Sequence, residues 1–527
     1  MVDQEAAMSA MKNPVAGPTG VSDFYNGKTV FITGGTGFMG KVLLEKLLRA
    51  CPGVSKIYLL IRPLKGQDAQ ERLQQLLCSP LFDPLRKERP ADLAKVQPIE
   101  GDITQPELAI TPSNIALLTR TVNVVFHSAA TIKFDEKLKL SVTINVLGTQ
   151  RLVELCKKMN HLECLVHVST AYCNCDRSEV KEVVYPPSIG PNQITSLVDV
   201  LDEDLLDSLT SKLVGKRPNT YTFTKSLAES WLKDNKGDLP VVIVRPSIVL
   251  SSINGPLPGW LDNWNGPTGI IAAAGKGVFR SMLGHPDKVA DLVPVDMVIN
   301  LMIAAAWRVG TTRSRELQVY NCCSGQRKPI TWKRFVDLSF VYFRKYPLSE
   351  MTWYPDGTIT ICRPLNLVNQ YLLHWVPAYI LDSLVWLMGG KPILLRIQNK
   401  LSKAAGCLQY FTTQEWSFDD ENVRNLALTL READKKEFCF DVAKIDWERY
   451  IENYVLGIRR FIFKEDLSSI PKARKQISRL YWTYRVMQVI SVMCLWHFLT
   501  LRYAPLRQLW VNALRLLVHL AKMLPFL

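Results

Sequence analysis

Residues 29–49, TVFITGGTGFMGKVLLEKLLR, decide how this chain folds. A short apolar run ends at Thr33, and glycines follow at 34, 37 and 40. Val42, Leu43, Leu44, Leu47 and Leu48 then recur at helical spacing, and a second apolar run, Ile57 to Ile61, comes after them. Strand, glycine turn, helix and strand make a βαβ unit. Glycines at this spacing let the backbone turn tightly and approach a pyrophosphate, which rests on the helix N-terminus. The turn from Thr33 through Gly34, Gly37, Phe38 and Met39 to Gly40 is therefore the expected dinucleotide cradle. Gly35, Gly40 and Lys41 also begin a nucleotide-hydrolase loop, but Val42 stands where that loop needs a hydroxyl for magnesium.

The second strand ends in Arg62 rather than an acid. An acid there would accept from a ribose diol, whereas Arg62, helped by Lys65, can neutralise a 2′-phosphate, so NADPH is expected over NADH. Asp102 and Ile103 follow a third apolar run and are placed at the adenine. Further runs at Val96 to Ile99, Val122 to Phe126, Cys164 to Val168 and Val241 to Val244 alternate with helical patterns at Val142 to Lys157 and Thr222 to Lys233. Short, continuous Val/Ile/Leu runs are what strands covered on both faces look like. The fold class read from this is α/β, a Rossmann-type doubly wound parallel sheet. The expected organisation is a flexible tail over 1–22, a dinucleotide-binding domain with substrate insertions over 23–345, a mainly helical domain over 346–466 and a hydrophobic, basic tail over 467–527.

Tyr221 and Lys225 form a Y-x-x-x-K pair, which at i and i+4 projects from one helix face. A nearby ammonium is expected to lower the phenol pKa and make Tyr221 a usable general acid, while Lys225 also holds the nicotinamide ribose. On its own the pair is common. Ser169 and Thr170, ending the Cys164-to-Val168 run, add a hydroxyl for the substrate carbonyl. His127, Ser128 and Ala129 place small residues where a cofactor would lie, and Asn145 sits on the next helix. All fall at the carboxyl ends of strands or on flanking helices, where open α/β sheets bind ligands.

Together Gly34-x-x-Gly37-x-x-Gly40, Tyr221-x-x-x-Lys225 and Arg245-Pro246-Ser247-Ile248-Val249 resemble the extended short-chain dehydrogenase/reductase superfamily. Within it the chain resembles the alcohol-forming fatty acyl-CoA reductases. The stretches that carry this are 33–41, 60–66, Lys133-Phe134-Asp135, 145–149, 168–174, 258–282 (PGWLDNWNGPTGIIAAAGKGVFRSM), 418–422 and Asp446-Trp447. The resemblance implies reduction of a long-chain acyl-CoA to a primary alcohol through a bound aldehyde, with NADPH. It implies Thr170 rather than Ser169 as the active hydroxyl, although the residues themselves leave that choice open, and it puts the backbone after Pro246 against the nicotinamide amide. Met39 stands where the family often has Leu, and Trp264 replaces a commonly aliphatic position. Rival readings are an aldehyde-releasing reductase, a sterol or sugar-nucleotide enzyme of the same superfamily, and a non-catalytic NADPH-binding scaffold. Arg62 and the 133–135 and 258–282 stretches oppose the sterol and sugar-nucleotide reading, and the Tyr221/Lys225 pair opposes the scaffold.

The 527 residues are 47% hydrophobic and 21% charged, a globular balance, and carry a net charge of +15. Nine Lys or Arg and no acid fall between Leu467 and Leu527. They are interleaved with apolar runs, which favours a lipid surface over nucleic acid. Val486 to Leu501, extended to Ala504, approaches the ~20 residues that span a bilayer, and Leu509 to Leu520 reads as interfacial. Lys472, Arg474, Lys475 and Arg479 precede the first run and would keep the catalytic domain in the cytosol. The expected site is a membrane of the endoplasmic reticulum or peroxisome, with homo-oligomerisation open. Tyr371 to Met388 reads as a core helix, with a membrane-dipping or acyl-binding helix as the alternative. Twelve Cys without a regular framework predict reduced thiols and no metal site, and a polar start predicts no signal peptide.

Overall fold

The computed structural model describes residues 20–64 and 66–523. Lys65 and residues 1–19 of the expected tail lie outside these. Seven parallel strands form the central sheet: β1 (Thr29–Thr33), β2 (Lys56–Ile61), β3 (Val96–Glu100), β4 (Val124–His127), β5 (Cys164–Val168), β6 (Val241–Pro246) and β7 (Gln318–Cys322). Their order is β7-β6-β5-β4-β1-β2-β3, with Val30 opposite both Ile57 and Val124. The Rossmann-type reading is borne out. β1, β4 and β5 are buried along their whole length, as strands covered by helices on both faces must be. The six apolar runs are six of these strands. β7 went unread because Gln318 and Asn321 interrupt its apolar pattern.

Order reverses between β1 and β4, and their carboxyl ends open the crevice in which such sheets bind ligands. Helix α1 (Phe38–Ala50) leaves β1 there, with Val42, Leu43, Leu44, Leu47 and Leu48 all buried. The pattern at Val142 to Lys157 is helical throughout, and a π-helical turn at Thr143–Leu147, between Leu138–Val142 and Gly148–Lys157, carries Asn145. Helix α2 (Thr220–Asn235) starts at Asn219, whose side chain accepts from the Thr222 N–H at 2.9 Å. At the amino end a short helix, Val21–Phe24, already packs with Val21 and Phe24 buried, so the packed chain starts ahead of the expected boundary at Ser22.

Beyond Lys345 the chain is mainly helical but not separate from the sheet region. Thr358–Thr360 pairs with Ser281–Leu283, and Ser417–Phe418 pairs with Glu179–Val180. The expected core helix over Tyr371 to Met388 is overturned. In helix α3 (Val376–Leu387) only Ala378 and Asp382 are buried, while Trp386 and Leu387 are 67% and 71% exposed. The inward face is taken by groups with specific polar partners, which turns the apolar side chains outward. Helix α4 (Leu394–Thr413) returns to the body. The tail is two helices, α5 (Ile470–Arg502) and α6 (Ala504–Met523), with Trp496 and Trp510 rings 5.4 Å apart. Residues 467–502 are long and apolar enough to cross a membrane. At 1.5 Å per residue α5 extends about 50 Å, which exceeds a ~30 Å hydrocarbon core.

Candidate active site

The glycine turn is held against the end of β4. Gly34 has φ +75°, and a Cβ there would sit 2.6 Å from the Ala129 nitrogen. A Cβ on Gly40 would lie 2.3 Å from the Gly34 carbonyl oxygen. Neither position admits a side chain, so the cradle keeps bare backbone towards the crevice. Gly37 starts α1 and no side chain caps that helix, which leaves its first N–H groups for an anion. These features fit a dinucleotide pyrophosphate. Below them Thr33 Oγ1 lies 2.8 Å from His127 Nδ1, and His127 Nε2 lies 3.0 Å from Thr149 Oγ1. Burial pushes the His127 pKa down to about 3, so the ring is a neutral spacer. Phe38 stacks on Trp260 at 5.5 Å, and Lys41 pairs with Asp262 at 2.6 Å, so the substrate-side loop closes over the start of α1. Met39 packs half-buried against the core.

Arg62 follows β2 and is exposed, with its guanidinium 3.8 Å from Asp102. Asp102 accepts from the Thr104 N–H at 2.9 Å and the Thr104 hydroxyl at 2.8 Å, and Ile103 lies against Gly148. Arg72 donates to the Arg62 carbonyl and feels its positive charge. Two guanidinium groups thus stand together at the end of β2. Arg72 was missed because it lies on the following helix, ten residues from Arg62.

Helix α2 brings the other group together. The Tyr221 phenol is within hydrogen-bonding reach of the Thr170 hydroxyl. Thr170 Oγ1 also lies 3.5 Å from the Pro246 carbonyl oxygen. The Ser169 Oγ is buried and has no hydrogen-bond partner among the described residues. Lys225 Nζ donates to the Val168 carbonyl at 2.7 Å, and Asn145 bridges the Thr131 N–H at 3.0 Å and the Thr224 hydroxyl at 2.9 Å. The expected lowering of the phenol by Lys225 does not occur. Burial raises the Tyr221 pKa well above its ordinary value, and only the Thr170 hydrogen bond pulls it down. The ammonium is held on the strand carbonyl rather than on the phenol. A phenol kept protonated suits a proton donor. Lys225 itself is lowered by burial to about 8, with Glu229 opposing that shift.

Glu229, one helical turn beyond Lys225, is a second residue that sequence reasoning overlooked. It forms a fully buried bidentate pair with Arg245, at 2.8 and 2.5 Å. The signal was available: 221, 225 and 229 share one face at i, i+4 and i+8. On the outer side Phe134 stacks on Tyr221 at 5.9 Å and meets Phe411 of α4 at 5.4 Å. Leu408 and Thr412, flanking Phe411 on α4, line an apolar cavity of about 60 Å³ together with Ile271, Phe279, Met282 and Ile359. Trp264 is not in that lining; it is half exposed, edge-on to Phe463 at 5.4 Å.

The sequence pattern of a family described as male sterility protein matches residues 32–302, and a second pattern of the same description matches 373–465. Fatty acyl-CoA reductase 1 of Rattus norvegicus is 41% identical over 493 residues, covering 93% of this chain and 95% of the relative. The chain belongs to the fatty acyl-CoA reductase family. Fatty acyl-CoA reductase 2 of Mus musculus is 39% identical with the same coverage. Among solved structures, the reductase domain of a nonribosomal peptide synthetase from Mycobacterium tuberculosis superposes with a TM-score of 0.55 at 18% identity, covering 86% of this chain and 95% of that one. The terminal reductase domain of the myxalamid pathway gives 0.51, also at 18% identity, covering 87% and 97%. These two show the fold alone. This member of the family is thus an oxidoreductase with a nicotinamide-nucleotide-binding domain.

Proposed function

We propose that the chain reduces long-chain fatty acyl-CoA to primary fatty alcohol with NADPH, through an aldehyde kept in the site. The observation that carries this is the Tyr221 phenol beside the Thr170 hydroxyl, at the strand ends next to the glycine cradle. Arg62, with Arg72 behind it, supports a 2′-phosphate and hence NADPH over NADH. When bound, the reduced nicotinamide supplies one hydride, so each alcohol formed consumes two molecules of NADPH in turn.

The residues of the chain manage the oxygen. Thr170 and Tyr221 donate to the thioester carbonyl oxygen and stabilise the hemithioacetal oxyanion that forms. Collapse of that species expels CoA thiolate and leaves the aldehyde. Tyr221, held protonated by burial, then gives its proton to the alkoxide oxygen. Lys225 and Asn145 position α2 against the strand ends. The apolar lining of the cavity beside α4 suits contact with a hydrocarbon chain, and Phe411 and Phe134 continue the apolar surface towards Tyr221. The tail helix holds the enzyme on a membrane, with the basic residues ahead of it keeping catalysis on the cytosolic side.

The test is full-length enzyme with palmitoyl-CoA and either NADPH or NADH, with aldehyde and alcohol quantified separately in a single turnover. Alcohol formed with NADPH, and little with NADH, is expected. Free aldehyde as the sole product would replace this reading with an aldehyde-releasing reductase.

A further inference from the structure

The segment 361–393 is built inside out. Its buried side chains are mainly polar: Asn366, His374 and Asp382. Each has a fixed partner in the body or across the turn. Asn366 accepts from the Ser281 hydroxyl at 3.0 Å, and His374 Nε2 accepts from the Arg280 N–H at 2.9 Å. Asp382 accepts from the N–H groups of Ile393, Leu394 and Leu395 at 3.1, 3.0 and 2.8 Å, which caps α4 and closes the turn. With the polar groups stapled inward, the outward face is apolar. Tyr379, Leu384, Trp386, Leu387 and Met388 are all about half exposed or more, with Met388 at 78%. A water-facing helix has the opposite pattern. A patch of this extent on a rigid element marks a contact surface.

Charge says what covers it. Between Gly357 and Gln414 the one acid is Asp382, and it is buried. Arg363, Lys391, Arg396, Lys400 and Lys403 are all exposed. Exposed apolar side chains ringed by cations without anions match an interfacial helix on an anionic leaflet, and aromatic residues at that depth are favoured. Position agrees. Arg280, which holds His374 by its backbone, packs its guanidinium on Trp353 at 4.8 Å. The next residue, Tyr354, stacks on Tyr484 of α5 at 5.6 Å. Tyr484 lies two residues before the apolar part of the tail helix, so the hairpin is stapled where the tail turns apolar.

We propose that residues 361–393 are a second membrane-contacting element, lying in the interface of an anionic bilayer beside the tail. The tail then anchors while the hairpin fixes the tilt of the body on the surface.

Because the tail alone would retain the protein on vesicles, binding is not the readout. Full-length protein, with exposed Cys78, Cys362 and Cys494 changed to Ser, is reconstituted in phosphatidylcholine vesicles with or without phosphatidylserine, and the lipids carry brominated acyl chains. A fluorophore is attached at Leu387→Cys or, as control, at Val200→Cys, a position 82% exposed in the catalytic region. Quenching at 387 is expected to exceed that at 200 by about threefold and to increase with phosphatidylserine. Equal quenching at the two positions overturns the proposal. So does a probe at 387 that is shielded from aqueous iodide but untouched by brominated lipid, which would mean that a second protein copy covers the face. A Lys391→Glu, Arg396→Glu, Lys400→Glu variant with unchanged melting should lose the phosphatidylserine dependence; retention of it overturns the headgroup assignment.

Discussion

Helices α2 and α3 invert the usual relation between composition and burial. α2, TYTFTKSLAESWLKDN, is rich in hydroxyls and charges, yet 12 of its 16 residues are buried. α3, VPAYILDSLVWL, is almost wholly apolar, yet only two of its 12 residues are buried. The difference lies in the partners each helix finds. Thr224 meets Asn145, Lys225 meets the Val168 carbonyl and Glu229 meets Arg245, so the polar groups of α2 are satisfied inside the protein. In α3 only Asp382 has such a destination, and the remaining side chains face whatever lies outside. Burial here follows partners, and hydrophobicity alone does not rank the two helices.

The sharpest test of this contrast is at the catalytic end of α2. Tyr221→Phe keeps ring packing against Phe134 but removes the proton, and kcat/KM should fall by about 10²–10⁴ with dinucleotide affinity unchanged in a fluorescence titration. Deeper in the same helix, Glu229→Leu strands a buried Arg245 without its partner. A loss of about 3–5 kcal/mol in urea unfolding is expected, and a loss below 1 kcal/mol would show the pair to be dispensable.

Matched truncations compare the helices directly. Leu227→Ala, fully buried on α2, should cost about 2–5 kcal/mol, whereas Leu384→Ala on α3 should stay within about 0.5 kcal/mol in detergent. Equal costs would mean that α3 is packed against something in solution. The smallest effect concerns pH. Burial lowers Lys225 to about 8, so its ammonium is present below that value and lost above it. The pH profile of kcat/KM should therefore bend downward near pH 8, and Lys225→Arg should remove that bend.

Much of the nucleotide half was legible in sequence because its signals are local. The glycine spacing and the flanking apolar runs lie within 33 residues, and each acts through the backbone it sits on. The Y-x-x-x-K pair was legible for the same reason. Its electrostatics were not, because whether Lys225 points at a phenol or at the Val168 carbonyl depends on β5, more than fifty residues away. Glu229 shares the helix face of Tyr221 and Lys225, so its place was readable, but its pairing with Arg245 was not; Arg72 belongs to no motif and gains meaning only from Arg62 on the neighbouring element.

Sequence alone determined the parallel sheet, the position of the glycine cradle and the basic, apolar tail, because period, turn chemistry and charge are properties of contiguous residues. Tertiary structure decided that Thr170 rather than Ser169 meets Tyr221, that α3 is turned inside out, and that the hairpin shares its footing with the tail helix. Those outcomes depend on which distant groups satisfy a buried donor or acceptor, and no local pattern encodes that choice.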